Sequence, residues 1–437
     1  MSAPPTQHPT GEQEKPATAQ QRLQAHALGI AHIGVVGMAL SMPLSRAAFN
    51  ISALLMVTGW LLSGQWQQKW DAIGHNASVW ASTGLFAVSA LSLFWSGPLT
   101  ADHAGQLKEY SRLLYVPLII SLLQHHRLWW QRAWVALLTG MLITLAAYLL
   151  DIWLELPGTR TYGTHTAGQG VFYHHIAQGM VLSFIGAYAL HRALSRAQPT
   201  GLRLCWLTVA LSTLAGLLAV GESRTAQLSV LAAYALVVLT HLPGRLRGWG
   251  LVLLVVVAGG LATGTEHVHN RFAIALQEMA SFKQDGEHTS VGARLQAWQF
   301  SSQLIGQTPW WGHGVGSYRA LAHAHFAQSP ICGLGVCEQP HNQFILTTVE
   351  TGLLGLLMLL VFFLTPALRR LRCHSETSLT ALVWPFMAIV MVTACFDSSL
   401  KIQGQAFFTL VTMALLMSSH AQAQRQPDID SADTKNV

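Results

Sequence analysis

Apolar residues run along the chain in about a dozen blocks, at roughly 28–45, 47–64, 77–96, 112–124, 133–153, 171–191, 203–220, 225–241, 248–264, 343–365, 378–397 and 402–419. Most approach the ~20 residues an α-helix needs to cross a hydrocarbon layer of ~30 Å, the block at 112–124 being the shortest. A half-buried strand would alternate apolar and polar positions, whereas these blocks stay apolar along their length. The pattern predicts an all-α polytopic membrane bundle of about twelve spans. Two parts fall outside it: polar tails at 1–27 and 420–437, read as disordered and solvated, and a stretch at 265–342 between the ninth and tenth blocks. A connection of that length is far beyond the usual one, which marks it as functional. Within it, 266–283 and 291–306 are compatible with helices, the second placing Leu295, Trp298 and Ser302 on one face beside Arg294 and Gln303.

Composition agrees with a membrane bundle. Of 437 residues only 10% are charged and 51% are hydrophobic, against about 25% charged in an ordinary soluble domain. The formal charge of +6 is scattered in short clusters between apolar blocks rather than gathered in a patch, which excludes nucleic acid as a partner. With an even number of spans both tails share one side. Arg127, Arg132, Arg192, Arg196, Arg203, Arg245, Arg247, Arg369, Arg370 and Arg372 fall there with the tails, so that side is cytoplasmic and the long loop is external. No cleavable signal is evident, so the first block is expected to stay as an anchor.

Against this background a few polar residues stand out. Arg224, in Gly221-Glu222-Ser223-Arg224-Thr225, occupies a very short external turn where a positive charge needs an anion. A phosphate-bearing ligand fits; so does a salt bridge to Glu222 or Asp397, or snorkelling to headgroups. Arg294 opens the second loop helix and offers a planar fork of donors suited to a diphosphate. His341 stands where the loop re-enters the membrane, a position from which a neutral imidazole can take a proton from a lipid-linked substrate. Its neighbour Asn342 either caps the next helix or orients the imidazole.

Cys332 and Cys337 are placed to form a local disulfide on an oxidising face, while His323, His325 and His341 beside them also permit a zinc site, although the spacing fits no tight zinc pattern. Gly312-His313-Gly314-Val315-Gly316 lacks the strand and the Gly-Lys-Ser/Thr of a nucleotide loop. Loop carboxylates Glu266, Glu278, Asp285, Glu287 and Glu338 are too scattered for a glycosidase pair. Trp298, Trp310 and Trp311 suit interface anchoring or stacking on sugars.

In order, Gly-Glu-Ser-Arg-Thr at 221–225, Gly292-Ala293-Arg294-Leu295 with Trp298, Trp311-Gly312-His313-Gly314-Val315-Gly316-Ser317-Tyr318, His341-Asn342 and Glu350-Thr351-Gly352-Leu353-Leu354-Gly355 resemble the O-antigen ligase and polymerase superfamily. The resemblance covers about 200–360. It implies an inner-membrane glycosyltransferase of the GT-C type, with a periplasmic active site and a donor glycan linked to undecaprenyl diphosphate. It implies no nucleotide, metal or other cofactor.

Ligases that join O-antigen to the lipid A–core oligosaccharide carry two arginines and a histidine in an order matched by Arg224, Arg294 and His341. The resemblance thereby implies direct inverting displacement, with the arginines on the diphosphate and His341 as base or orienting donor. Arg160, His174, Asp397 and Lys401, at external ends of other spans, are further candidates for phosphate contacts. The Cys332/Cys337 insert departs from the family pattern. Rival readings are an O-antigen polymerase or protein O-oligosaccharyltransferase of the same superfamily and, more distantly, a secondary transporter, which the scarcity of ionisable groups at mid-span disfavours.

Overall fold

The structure is a computed structural model that describes residues 18–74, 76–154, 170–220, 223–263, 290–327, 329–372 and 380–423. Arg160, Glu222 and the helix expected at 266–283 lie outside these residues. Among the described residues every regular element is helical. In chain order the helices are α1 (Ala19–Ser41), α2 (Arg46–Leu62), α3 (Trp66–Gly74), α4 (Ala77–Leu91), α5 (Ala101–Tyr110), α6 (Tyr115–Leu123), α7 (Arg127–Leu154), α8 (His175–Leu194), α9 (Thr200–Ala215), α10 (Arg224–His241), α11 (Gly244–Thr263), α12 (Ser290–Gln307), α13 (Ser317–His325), α14 (Gln343–Arg372), α15 (Val383–Phe396) and α16 (Gln403–Ala423).

Each apolar block of the sequence carries a helix. Among the described residues five helices are long and apolar enough to cross a membrane, or six if α2 and α3, bent by 115°, count as one span; others, such as the 14-residue α15, are shorter. Helix α1 begins well before residue 28, inside the stretch expected to be disordered. The reason is local: Thr18 and Gln21 form a reciprocal capping box, Gln21 N–H donating to Thr18 Oγ1 at 3.2 Å and Thr18 N–H to Gln21 Oε1 at 2.9 Å.

Two helices lie at the centre. Residues 176–189 of α8 and 404–418 of α16 are buried on all sides, as expected of helices that are apolar all round. Outer helices turn Leu, Ile and Val outward instead; Val252, Leu253, Val255 and Val256 of α11 are each more than half exposed. An apolar belt of this kind is stable in lipid and not in water.

At one end of the bundle α3 folds sharply across the end of α2. Lys69 fixes the bend: buried beneath α3, it donates to the Trp60 carbonyl and to Ser63 Oγ (2.9 Å), with its ammonium over the Trp60 and Trp66 rings at 4.5 and 4.7 Å. A lysine thus satisfies carbonyls at a helix C-terminus while its cation rests on aromatic faces. Trp66 and Trp70 of the same helix remain exposed, as interfacial anchors do.

At the other end, α14 is broken at Gly352, whose φ of 67° and ψ of −165° are open to glycine alone. The break frees carbonyls for a non-helical partner, and the glycine turn supplies it. His313 N–H donates to the Val349 carbonyl and Gly314 N–H to the Glu350 carbonyl, both at 2.8 Å, while Leu353 N–H returns to the Pro309 carbonyl at 2.8 Å. The buried Glu350 carboxylate accepts from Gly316 N–H at 3.0 Å. Backbones meet so closely that a Cβ on Gly312 would lie 2.6 Å from the Glu350 carbonyl and one on Gly352 2.2 Å from the Trp310 oxygen.

The motifs at 310–318 and 350–355 are therefore one joint, which fastens the loop to a span. Around it a second, smaller core forms from Ala293, Ala297, Phe300 and Leu304 of α12 with Tyr318, Ile331, Val336, Leu346 and Val349. The packed face of α12 is this one, not the face of Leu295 and Ser302, because the small Ala293 and Ala297 let α12 approach α14 closely.

Gly352→Ala is expected to destabilise the fold by about 1–3 kcal/mol or more through the forbidden backbone angle. Thermal unfolding in detergent should show a clear drop in Tm, and an unchanged melt would show that the joint is not needed.

Candidate functional site

Above the joint, the chain between α13 and α14 ends in a short clamp. Trp298 Nε1–H on α12 donates to the Pro340 carbonyl at 2.8 Å, and Lys401 Nζ donates to the Glu338 carbonyl at 2.6 Å. Asn342 caps α14, its Oδ1 accepting from Ile345 N–H, and its Nδ2 donates to the Cys395 carbonyl, each at 3.0 Å. Of the two roles open to Asn342 the structure shows the cap. Squeezed between these ties, His341 takes a left-handed φ of 51°, uncommon for a non-glycine residue.

That conformation turns the imidazole toward Asp397, the C-cap of α15. His341 Nδ1 lies 3.2 Å from Asp397 Oδ1, and the carboxylate is buried. The other donors to Asp397 are Gln405 Nε2 at 2.6 Å, Gln339 Nε2 at 3.3 Å and Ser398 N–H at 3.0 Å. Burial pushes the Asp397 carboxyl up, but the hydrogen bond and charge of His341, then Gln405 and Ser398, outweigh it and hold the group below its ordinary value. A carboxylate can only accept, so Nδ1 is the nitrogen that donates to it, and Nε2 is the ring nitrogen not bonded to Asp397. Asp397, a candidate for phosphate contact in the sequence, is in the structure a hydrogen-bond partner of the histidine.

Gln343, at the start of α14, locks the same corner from below: its Oε1 accepts from Leu400 N–H at 2.8 Å and its Nε2 donates to the Tyr110 hydroxyl at 3.2 Å.

Cations gather around this pair. Arg224 is the first residue of α10, behind a π-helical turn at Gly216–Val220 and the Ser223 cap, whose Oγ accepts from Ala226 N–H at 3.2 Å. Arg294 is the fifth residue of α12. Burial lowers its guanidinium from the ordinary value; Asp397 opposes that shift and Arg224 adds to it, so the two arginines are close enough to feel each other. His174 caps α8, and burial likewise lowers its imidazole, with Asp397 raising it and His341 and Arg46 lowering it. Arg46, at the start of α2, sits over the Tyr173 ring at 5.4 Å. Two guanidinium groups within electrostatic range of each other, one of them at a helix N-terminus, are chemically suited to an anion with more than one charge.

Arg224, Arg294, His174, His341 and Asp397 are thus brought together. Lys401 serves the clamp, and Arg160 lies outside the described residues. The sequence reading missed Arg46, Gln339, Gln343 and Gln405, which meet the site only through tertiary packing. For Arg46 a signal existed, since it is a charge at the end of an apolar block.

Cys332 and Cys337 form a disulfide, with Cα atoms 5.0 Å apart. Their sulfurs and His323 lie within 4.8 Å of one another, but sulfurs bonded to each other are not thiolate ligands, and His323 pairs with Glu338 at 3.1 Å. His325 stacks on Phe300 at 4.2 Å instead.

Residues 209–360 match the O-antigen ligase family model. Over that region, about a third of the chain, the sequence is similar to O-antigen ligases. The matched region contains Arg224, Arg294, the glycine joint and His341, whereas Arg46, His174 and Asp397 are contributed from outside it. An uncharacterized protein of Haemophilus influenzae is 27% identical over 101 residues, 23% of this chain and 25% of that protein. The likeness therefore spans a quarter of the relative's length.

The sign of the Asp397 shift sets a pH dependence. A depressed carboxyl stabilises the fold fully above its unfolded value of about 3.9 and loses that contribution as the pH falls through the lower folded value. Asp397→Asn is expected to flatten the acid limb of a stability–pH curve between about pH 2 and 5 relative to the parent chain. Thermal melts across that range check it, and superimposable acid limbs would show that the carboxylate is not held in this way.

Proposed function

We propose that the chain transfers an O-antigen glycan from undecaprenyl diphosphate to the lipid A–core oligosaccharide at the periplasmic face of a bacterial inner membrane. The observation that carries this reading is the meeting of a histidine–carboxylate pair with two arginines at one end of a membrane-type bundle, in a region of O-antigen ligase type. In this reading the fold is a GT-C-type bundle of about twelve spans, both tails lie in the cytoplasm and residues 265–342 form the periplasmic loop.

The acceptor hydroxyl gives its proton to His341 Nε2, while Nδ1–H stays bonded to Asp397, which steadies the imidazolium as it forms. The hydroxyl oxygen bonds to the anomeric carbon of the donor's first sugar. The bond from that carbon to the diphosphate oxygen breaks, the electron pair leaving with undecaprenyl diphosphate. Arg224 and Arg294 meet the charge that grows there. A single displacement inverts the anomeric centre. No step calls for a group beyond the chain's own side chains.

An apolar groove supports a polyprenyl donor. Gln227, Leu228, Leu231, Ala232 and Ala235 of α10 face Leu251, Leu254, Val255 and Ala258 of α11 around about 550 Å³. From Arg224 these positions follow at i+3, i+4, i+7, i+8 and i+11, so the groove descends into the bundle along the face that Arg224 heads. A diphosphate held at Arg224 thus has its lipid tail below it.

Purified protein in nanodiscs, given lipid-linked glycan and lipid A–core, is expected to extend the core, and His341→Ala to lose about 10²–10⁴ in rate. Arg224→Gln or Arg294→Gln should cost about 10²–10³. Longer lipid-linked chains from donor alone would make the protein a polymerase, and no product from folded protein would overturn glycan transfer.

A further inference from the structure

The nitrogen that takes the proton in this scheme faces a surface element that the reaction as written leaves unused. A Cβ placed on Gly335 would lie 3.5 Å from His341 Nε2. Gly335 is at the tip of the disulfide-closed loop, in a left-handed conformation with φ of 84° that ends a 3-10 turn at Pro330–Leu334.

The flanks of the tip are fastened independently of the histidine. Ile331, Val336 and Cys337 are buried in the loop's own core, the Tyr318 hydroxyl donates to the Val336 carbonyl at 2.8 Å, and Gly335 N–H donates to the Cys332 carbonyl at 3.1 Å. Glu338, just past the loop, pairs with Arg319 Nε at 2.9 Å. The tip itself is Gly333-Leu334-Gly335, where two of three positions carry no side chain and Leu334 is exposed. A fastened frame thus brings a tip with little side-chain bulk close to Nε2, with one exposed apolar side chain, Leu334, beside it.

We propose that the Cys332–Cys337 loop is the acceptor-side wall of the site, seating the acceptor sugar so that its hydroxyl meets His341 Nε2 and keeping water from that nitrogen. The inference rests on the transfer reaction proposed above. Its chemical consequence is a choice between two nucleophiles. Where the wall is loosened, water can take the acceptor's place: its oxygen bonds to the anomeric carbon, its proton passes to Nε2, and the carbon–oxygen bond to the diphosphate breaks with the pair on the leaving group. Free glycan and undecaprenyl diphosphate are then released.

The test follows both products in nanodiscs, with lipid-linked glycan as donor and lipid A–core as acceptor. Cys332→Ser/Cys337→Ser is expected to raise the acceptor KM roughly tenfold, leave the donor KM unchanged, and raise release of free glycan without acceptor by a similar factor. Leu334→Ala, which keeps the disulfide and both glycines of the tip, should raise the acceptor KM alone, and it decides the matter should the double variant fail to fold. Unchanged acceptor KM in Leu334→Ala, or donor and acceptor KM rising together in the double variant, would overturn the wall. An inactive parent protein would instead overturn the transfer reaction, and the wall with it.

Discussion

The break in α14 at Gly352 is the constraint from which the site follows. An unbroken helix consumes its own carbonyls and offers a neighbouring loop nothing to hold. By abandoning the helical ladder at one residue, α14 presents the Val349 and Glu350 carbonyls to the glycine turn, and the loop becomes a fixed extension of the bundle. Everything that places His341 stands on that extension. The second core packs beneath it, Trp298 reaches Pro340 from it, and Asn342 ties its end to α15.

With the frame fixed, the electrostatics of the site become a matter of unequal distribution. Asp397 is buried and satisfied by an imidazole, two amides and a backbone N–H. Arg224 and Arg294 press on each other, and Arg46 acts on His174 from a further side. The carboxylate is thus fully engaged within the protein, and the arginines and His174 lie within electrostatic range of it or of one another. The same arrangement separates the labours of the histidine's two nitrogens, one bound to the carboxylate and one turned to the loop tip.

The helices were legible in the sequence because hydropathy is a local property: each apolar block carries one. Arg224, Arg294 and His341 stood out through their motifs, and the disulfide was legible through its spacing. The pairing of His341 with Asp397 was not, since 56 positions separate them and no periodicity spans two helices and the turn between them. Gln339, Gln343 and Gln405 were silent for a related reason, as an amide near a helix end carries no signal until its partner arrives by tertiary packing. Gly352 misled in another way. One glycine in an apolar run reads as a tolerated helical residue, and its role shows only when Gly312 is found against it. On α12 the eye followed the large residues Leu295 and Trp298, whereas the small Ala293 and Ala297 determine which face can come close.

The bend between α2 and α3 bears on where the molecule sits in its bilayer. Helix α2 begins at Arg46, beside the site, and ends under the Lys69 clamp, with Trp66 and Trp70 exposed on α3. At the opposite end Trp310 and Trp311 are exposed next to the glycine joint, Trp95 Nε1–H donating to the Trp311 carbonyl at 2.9 Å. Two indole rims at a set spacing act as floats, and the lysine clamp keeps the lower one from swinging. The height of the headgroup plane against Arg224 and Arg294 is then set by hydrophobic mismatch, so that a thinner or thicker membrane shifts that plane relative to this end of the bundle.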